Sequence, residues 1–334
     1  MRQVTFGRRK KSSGTCLKPY RLALLLSLGL AASVIGQAQS IKVTLLGTGT
    51  PNPHPERFGP STLVEAGSEK LLFDVGRGAT IRLNQVRVPM RGITSVFITH
   101  FHSDHLVGLA DLWLIGWLPP NYARRTMPLR IVGPTGLKQI TGGMEQTYAI
   151  DIGIRVKDEG LDPAAAKFDV TEFAENGVVY EKDGVVVRAF AVDHGELIKP
   201  SYGYRIDYAG RSVAISGDTR FDENLIEAAK GVDLLIHEVV AIPEKLFEIN
   251  PAMKRVEAHH TTAEQVGTVF SRVKPKMAAL THYVLTAGPG IPPISKQDVV
   301  KRVRSTYSGP LTAGSDLMTF EVGDSVRVAS PDNQ

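Results

Sequence analysis

The chain has 334 residues, of which 43% are hydrophobic and 22% charged, as expected for a globular protein with a sizeable core. Its formal net charge is +5, but seven of the 39 lysines and arginines lie in residues 1–38, where there is no acidic residue. The 32 that remain face 34 acidic residues, so the rest of the chain carries about −2, which argues against a broad nucleic-acid surface. The single cysteine, Cys16, also lies in this leader, so a metal bound elsewhere must use nitrogen and oxygen ligands.

Residues 1–38 have the pattern of a signal peptide. Basic residues precede an apolar run over 22–35, and Gly36 and Ala38 are the small residues expected before a cut after Ala38. The apolar run is shorter than the roughly 20 residues that a membrane span needs. We therefore expect a periplasmic or secreted protein with no stable membrane insertion after cleavage, and one domain over residues 39–334. An uncleaved membrane anchor is the alternative.

After the leader, apolar runs of strand length alternate with stretches of helical length. The predicted strands are 41–46, 61–67, 70–76, 94–100, 129–134, 184–195, 201–210, 211–219, 232–238 and 276–282. The predicted helices are 105–118, 135–148, 224–231, 261–273 and 296–307. Residues 150–180 are polar and weakly periodic, which indicates a variable excursion. Strands and helices alternating in both halves predict two sheets with helices outside them.

Histidine and aspartate repeatedly occupy the ends of the predicted strands. These positions are His100, His194, Asp218, His237 and His282. Strand ends of this kind converge on one edge of a layered fold, and several neutral imidazoles and carboxylates held together there favour a metal. A lone histidine in such a place is more often a hydrogen-bonded structural residue. We give that interpretation to two further histidines, His54 and His259.

The segment HFHSDH carries the strongest signal. It places His100, His102, Asp104 and His105 within six residues. Two histidines two positions apart project to one side of an extended segment, and a turn then lets Asp104 and His105 face a second position nearby. Four metal-type ligands within six residues predict a metal site rather than a chance group of polar surface residues.

HFHSDH matches the HxHxDH signature of the metallo-β-lactamase-fold superfamily, which the chain resembles throughout the part that follows the leader. The segments LLGTGTPNP, FDVGRGAT, SGDTR, HHTTAEQ and LTHY occur in the order seen in its ribonuclease Z-like branch. RFGPS, DVGRGATIRLNQ and GLADLWLIGWL look most like the exported arylsulfatase-type members of that branch. The resemblance implies an α/β fold: an αββα sandwich of two mixed sheets, helices on the outer faces, and a two-zinc site at one edge.

The resemblance also implies a division of the metal ligands. One zinc would be held by three histidines, the second by an aspartate and two histidines, and one aspartate would bridge them. In that order the residues are His100, His102 and His194; Asp104, His105 and His282; and Asp218. A hydroxide between the two ions would attack the ester. Mn²⁺ or Fe²⁺ would suit the same nitrogen and oxygen ligands.

Further residues acquire roles through the same resemblance. His260 matches the proton donor to the leaving oxygen, and Glu238 matches the carboxylate that orients that histidine and keeps it protonated. Asp104 could also accept a hydrogen bond from the attacking hydroxide. The alternative for His260 is a structural hydrogen bond at the start of a helix. His237 is interpreted as a residue that supports the ligands from behind.

One feature of ribonuclease Z is missing from this sequence. Enzymes of that kind that cleave tRNA carry a long arm rich in Gly, Pro and Lys, whereas strands 201–210 and 211–219 are joined here by DYAGR alone. We therefore expect an exported binuclear zinc hydrolase of sulfate or phosphate esters, similar to an arylsulfatase or a phosphodiesterase. Its expected partner is a small-molecule ester rather than nucleic acid.

Three alternatives stay open. The chain could be a ribonuclease Z-type endonuclease that processes tRNA 3′ ends, or a hydrolase of lactones or carboxylic esters. It could also be a periplasmic module that binds a metal or ligand without turnover. Family members are often dimers, so a homodimer is consistent with the resemblance. We expect the pocket wall to include Phe58, Trp113, Trp117 and residues 150–180.

Overall fold

The computed structural model describes residues 39–119 and 123–329. The predicted signal peptide, residues 1–38, lies outside these ranges. Among the described residues, no helix is both long enough and apolar enough to cross a membrane.

One sheet joins strands from both ends of the described chain. Its strands are β1 (Ile41–Gly47), β2 (Ser61–Ala66), β3 (Glu69–Phe73), β4 (Ser95–Phe97), β5 (Leu129–Pro134), β6 (Phe168–Phe173), β14 (Thr319–Val322) and β15 (Val326–Ala329). Their spatial order is β15-β14-β1-β2-β3-β4-β5-β6. Pairing is antiparallel from β15 to β3 and parallel from β3 to β6.

The second sheet has the same division into an antiparallel and a parallel half. Its strands are β7 (Gly177–Lys182), β8 (Val185–Ala191), β9 (Tyr202–Tyr208), β10 (Arg211–Ile215), β11 (Leu234–Ala241), β12 (Met277–Leu285) and β13 (Leu311–Ala313). The spatial order is β13-β12-β11-β10-β9-β8-β7. Pairing is parallel from β13 to β10 and antiparallel from β10 to β7.

Helices cover the outer faces of both sheets. They are α1 (Ala79–Gln85), α2 (Ser103–Leu106), α3 (Leu109–Trp117), α4 (Leu137–Thr147), α5 (Ala149–Asp158), α6 (Glu223–Ala228), α7 (Glu244–Ile249), α8 (Met253–Glu257), α9 (Ala263–Val273) and α10 (Lys296–Arg304). A core of buried side chains fills the space between the sheets, where Phe73 stacks on Phe97 with ring centroids 4.8 Å apart. Separate apolar clusters pack α1, α3 and α4 on the first sheet and α6, α9 and α10 on the second. The predicted αββα sandwich is confirmed.

The structure corrects two of the predicted segments. The helix expected over 105–118 is two helices, α2 and α3, which are separated at Val107 and Gly108. Gly108 lies so close to the backbone of Val75 and Gly76 that an added Cβ would approach the Gly76 oxygen to 2.3 Å. The excursion expected over 150–180 contains most of α5 together with β6 and part of β7, so it belongs to the sandwich.

Chain direction brings the predicted ligands to one edge of the molecule. His100 follows β4, His194 follows β8 and Asp218 follows β10, each by three residues. His282 was expected to end its strand, but it lies inside β12, which continues to Leu285. The pairing of β12 with β11 shifts by one residue here, so that His282 is the extra residue of a bulge with φ of 40°. A bulge redirects a side chain, and bulges are common beside active sites.

A capping box at the start of α9 supports a stability prediction. Thr262 caps α9 in a capping box with Gln265: each side chain accepts a hydrogen bond from the other residue's backbone N–H. Thr262→Ala should lower the free energy of unfolding by about 1 kcal/mol, because the Gln265 backbone N–H at the helix start loses its acceptor, the Thr262 hydroxyl. Urea unfolding measures this. Thr268→Ala in the same helix is the control and should be neutral or slightly stabilising, since it removes only a local bond to the Glu264 carbonyl. Equal losses in both variants would contradict the capping role.

Candidate metal centre

All seven predicted metal ligands come together at this edge. They form two sets, and within each set the ligand atoms lie within 4.8 Å of one another. The first set is His100, His102, His194 and Asp218, and the second is Asp104, His105 and His282. The placement is the one expected from the sequence, while the role of each residue as a ligand stays a prediction.

The Asp218 carboxylate lies at the centre of the cluster. Its Oδ2 atom is 3.3 to 4.0 Å from the Nε2 atoms of four histidines: His282, His105, His194 and His100. Burial alone would raise the pKa of Asp218, but His282 and His105 hold it well below its usual range. The carboxylate is therefore ionised, and one oxygen faces ligand atoms from both sets.

Hydrogen bonds behind the histidines fix which nitrogen faces inward. Nδ1 of His194 lies 2.7 Å from the His259 carbonyl oxygen, which can only accept, so this nitrogen carries the proton. Nδ1 of His100 lies 3.0 Å from the Thr99 hydroxyl, which itself donates to Asp74. Burial lowers the pKa of His100 well below its usual range and that of His194 to about 4. Both rings are therefore neutral and point the lone pair of Nε2 into the cluster.

Asp74 supports the centre, although its role was not predicted from the sequence. Its carboxylate accepts hydrogen bonds from the Thr99 backbone N–H at 2.9 Å, the Thr99 hydroxyl at 2.8 Å and His105 Nδ1 at 2.7 Å. Burial would lower the pKa of His105, yet Asp218 and Asp74 raise it well above its usual range, so without a cation the ring is protonated. The available signal was its position: Asp74 directly follows β3, as His100 and Asp218 follow their own strands.

His260 and Glu238 form a pair beside the cluster. Nδ1 of His260 is 3.3 Å from Oε2 of Glu238, in an ion pair that is not aligned as a hydrogen bond. The other oxygen of Glu238 accepts from the Thr261 backbone N–H at 2.9 Å, which fixes the carboxylate. Burial opposes the charge on His260, but Glu238 and Asp218 raise its pKa to about 9. His260 is thus positively charged at neutral pH and lies within reach of Asp218 and His282.

The remaining histidines have structural positions. His54 is exposed, and its Nδ1 accepts a hydrogen bond from the Glu56 backbone N–H in a turn. His259 contributes its carbonyl oxygen to the hydrogen bond with His194. His237 is buried inside β11 rather than at its end, and its Nδ1 donates to the Glu238 carbonyl oxygen. His237 precedes Glu238 in the chain but is not part of the ligand cluster.

The expected pocket wall needs correction. Trp113 is fully buried, with its ring stacked on Phe168 at a centroid separation of 4.5 Å. Trp117 is also buried, and its indole N–H donates to the Asp162 carbonyl oxygen. Trp113 therefore belongs to the packing of α3 on the sheet, and Trp117 to a separate apolar cluster with Ala165 and Ala166. Phe58 is half-buried, with the Arg82 guanidinium 4.1 Å above its ring.

The donors and charges of the cluster fit bound cations. Nε2 of His100 and Nε2 of His105 are buried and have no hydrogen-bond partner among the described residues. Four carboxylates, Asp74, Asp104, Asp218 and Glu238, are each at most 6% exposed. Inward lone pairs and buried negative charge are both stabilised by a cation, and the ligands offer only nitrogen and oxygen. The cluster is compatible with a metal site on chemical grounds.

Comparison with protein families and curated sequences gives a consistent result. A family model described as "Anti-Pycsar protein Apyc1" matches residues 41–303. Ribonuclease Z from Mycobacterium bovis (strain BCG / Pasteur 1173P2) is 33% identical over 283 residues, which are 84% of this chain and 98% of that relative.

Solved structures share the fold at lower identity. The metallo-β-lactamase fold protein YhfI from Bacillus subtilis has a TM-score of 0.65 and 17% identity, covering 84% of this chain and 99% of that protein. Human tRNase Z, short form, has a TM-score of 0.61 and 23% identity, covering 83% and 98%. A diphosphatase from the PhnP family has a TM-score of 0.58 and 17% identity, covering 84% and 96%.

The fold, the ligand cluster and these relatives define a metal-dependent hydrolase of the metallo-β-lactamase fold that acts on ester bonds. Within that class, the chain belongs to the family described as Anti-Pycsar protein Apyc1 and is a homologue of ribonuclease Z. The relatives favour the ribonuclease alternative over the arylsulfatase-type interpretation, for which they give no support. The expectation that nucleic acid is not a partner conflicts with relatives that are nucleases by name.

Loss of the Asp74 carboxylate should weaken metal binding without removing a ligand. Asp74→Asn leaves a neutral amide with one acceptor oxygen in place of two, so it cannot accept hydrogen bonds from both Thr99 and His105 Nδ1. The His105 ring then loses the partner that fixes its orientation. We expect metal affinity to fall roughly 10- to 100-fold with the fold retained, as for other residues that hold metal ligands in place. Zinc titration with a competing chelator measures the affinity. Asp169→Asn, on the exposed side of β6, is the control, and an effect of the same size there would contradict the role of Asp74.

Two alanine variants distinguish a ligand from a proton donor. His102→Ala should lower both metal content and rate, because a nitrogen ligand is lost. His260→Ala should lower the rate while both metals are retained, because the charged ring is held by Glu238. Elemental analysis of reconstituted protein measures the metal. Equal depletion in both variants would make His260 a ligand, which its distance from Asp218 and His282 also permits.

Proposed function

We propose that the chain is a binuclear metal phosphodiesterase that acts on nucleotide phosphodiesters. The observation that carries the proposal is the cluster of seven metal-type ligands with a charged histidine, His260, facing it. The M. bovis relative is a ribonuclease by name, and the PhnP-family neighbour is a diphosphatase. Both names denote cleavage of a P–O bond, and the chemistry of the site suits attack on phosphorus.

Two zinc ions are the cofactors that the ligand sets support best. Apart from Asp218, which faces both sets, each set supplies three nitrogen or oxygen donors. Zinc takes nitrogen and oxygen ligands readily, and Mn²⁺ or Fe²⁺ would also fit. When bound, the ions would lower the pKa of a water molecule and stabilise negative charge on the phosphate.

The protein's own residues would position the water and the leaving group. Asp104 is buried with Oδ2 3.3 Å from His282 Nε2, and it could accept a hydrogen bond from the attacking water. His260 would donate its proton to the leaving oxygen, which matters most when that oxygen leaves as a poorly stabilised alkoxide. Glu238 stabilises the charged form of His260 before the proton is transferred. The ribose hydroxyl released from a nucleotide diester is a leaving group of this kind.

The short turn between β9 and β10 in the second sheet favours small phosphodiesters over tRNA as substrates. Strands β9 and β10 pair antiparallel with Tyr208 opposite Arg211, so Ala209 and Gly210 alone form the turn between them. Both residues have positive φ, as expected for a two-residue hairpin. A tRNA-gripping arm at this point is absent, which removes a contact that tRNA recognition by the arm-bearing enzymes uses.

Export remains part of the proposal. The charge pattern and apolar run of residues 1–38 support a signal peptide, and a periplasmic or secreted location would keep the enzyme away from cytoplasmic tRNA. Homodimer formation likewise stays a prediction from the resemblance.

Substrate assays with metal-loaded protein test the proposed function. We expect hydrolysis of bis-p-nitrophenyl phosphate that a chelator abolishes and zinc restores. A dinucleotide such as ApA should be cleaved faster than pre-tRNA, and p-nitrophenyl sulfate should react slowest. His260→Ala should slow ApA cleavage about 10²- to 10⁴-fold, and that of the p-nitrophenyl ester less, because p-nitrophenolate leaves without a proton.

The outcomes separate the alternatives. Faster cleavage of pre-tRNA than of ApA would support a tRNA-processing endonuclease instead. Preference for the sulfate ester would restore the arylsulfatase interpretation. Absence of hydrolysis of any ester by protein that holds both metals would favour a binding module.

A further inference from the structure

A cavity of about 620 Å³ opens at the edge of the molecule that carries the metal ligands, and none of those ligands lines it. It is lined by the loop residues 54–57 after β1, by Arg82 of α1, by Leu285 and Lys296, and by Ser315 and Asp316 after β13. Strand β1 runs in the same direction as β4, and β12 and β13 run in the same direction as β10. The C-terminal ends of β1, β12 and β13 therefore lie at the edge that carries the metal ligands.

The buried acid of the cavity, Asp316, is already saturated. Its Oδ1 atom accepts from the backbone N–H and the hydroxyl of Thr48 at 2.9 and 2.8 Å. Its Oδ2 atom accepts from the Phe58 backbone N–H at 2.7 Å and from Arg82 at 2.9 Å. Four donors, one of them a guanidinium, use the acceptor capacity of this carboxylate. It therefore has no free acceptor site for a hydrogen bond from Lys296 or Arg57, although its charge still acts on Lys296.

Lys296 faces the cavity without a carboxylate partner among the described residues. Its Nζ atom donates to the Gly314 carbonyl oxygen at 2.8 Å and lies 4.3 Å from the centre of the Tyr283 ring. Burial and the nearby Arg57 lower the pKa of Lys296 to about 8, although the Asp316 charge acts in the opposite direction. A partly buried ammonium group with a second cation beside it is unfavourable unless an anion joins them.

Arg57 is the second cation that lacks an ion pair with the described residues. It is half-buried in the loop that Asp316 holds through Phe58. Glu56 also lines the cavity, but its side chain is exposed to solvent, where its charge is screened. The net charge on the inner wall of the cavity is therefore positive. The loop that carries Arg57 is held in place by the hydrogen bond from Phe58 to Asp316.

We propose that Lys296 and Arg57 bind a phosphate group of the substrate other than the one that is hydrolysed. This rests on the proposed phosphodiesterase function and narrows its substrate class to phosphodiesters that carry an additional phosphate, such as a terminally phosphorylated dinucleotide or a short oligonucleotide. The cavity is larger than one phosphate group and has room for part of the attached nucleoside. The cavity and the metal centre are linked through β12, because Tyr283 under Lys296 directly follows the ligand His282.

Binding and turnover of matched dinucleotides test the proposal. Metal-loaded protein is titrated calorimetrically with ApA, pApA and ApAp, and kcat/KM is measured for the same compounds. One of the two phosphorylated forms should bind about tenfold more tightly than ApA and show a lower KM. In Lys296→Gln and in Arg57→Gln the ratio between that form and ApA should fall to about one. Lys301→Gln, at an exposed position of the same helix, is the matched control and should keep the wild-type ratio.

The two proposals can fail separately. If the wild-type protein binds ApA, pApA and ApAp equally, or if the preference survives both glutamine substitutions, the phosphate subsite is wrong even when ApA is cleaved. If the binding preference depends on Lys296 and Arg57 but no phosphodiester is cleaved, the subsite stands and the catalytic proposal is wrong.

Discussion

The contact on which the centre depends is the buried carboxylate of Asp218 among four imidazoles that reach it from both sheets. An ionised group at this depth is stable only if positive charge surrounds it. The histidines supply part of that charge when metal is absent, and cations would supply it when metal is bound. The helices, the loop lengths and the bulge in β12 all bring side chains to this one oxygen.

The fold and the convergence of the candidate ligands could be predicted from the sequence, for identifiable reasons. HFHSDH puts four donor groups within six residues, and the other donors follow or interrupt strongly apolar strands, so the edge of a layered fold was the only place they could meet. The resemblance then supplied the order of the layers. The N-cap of α9 was predictable because capping depends on residues that are adjacent in the chain.

Other parts could not be predicted because they depend on contacts between distant residues. Asp74 is an ordinary strand-end aspartate until His105 and Thr99 are placed against it. His282 was expected to end a strand, but pairing with β11 extends β12 beyond it, and the register shift that turns its side chain belongs to both strands. Trp113 was expected in the pocket wall, but Phe168 of β6 covers its ring. Strand β6 lies in the segment 150–180, whose weak periodicity did not indicate a strand.

The hydrogen bonds of Asp316 have a consequence for the boundary of the functional unit. The family match ends at residue 303, yet Asp316 holds Thr48 and Phe58, 268 and 258 positions earlier in the chain. Beyond it, β14 pairs with β1 and completes the sheet. A fragment cut at the family limit would retain every metal ligand but release the loop at the rim of the catalytic edge. Residues 311–329 therefore help to hold this loop in place, and a domain boundary drawn from the family match alone would leave them out.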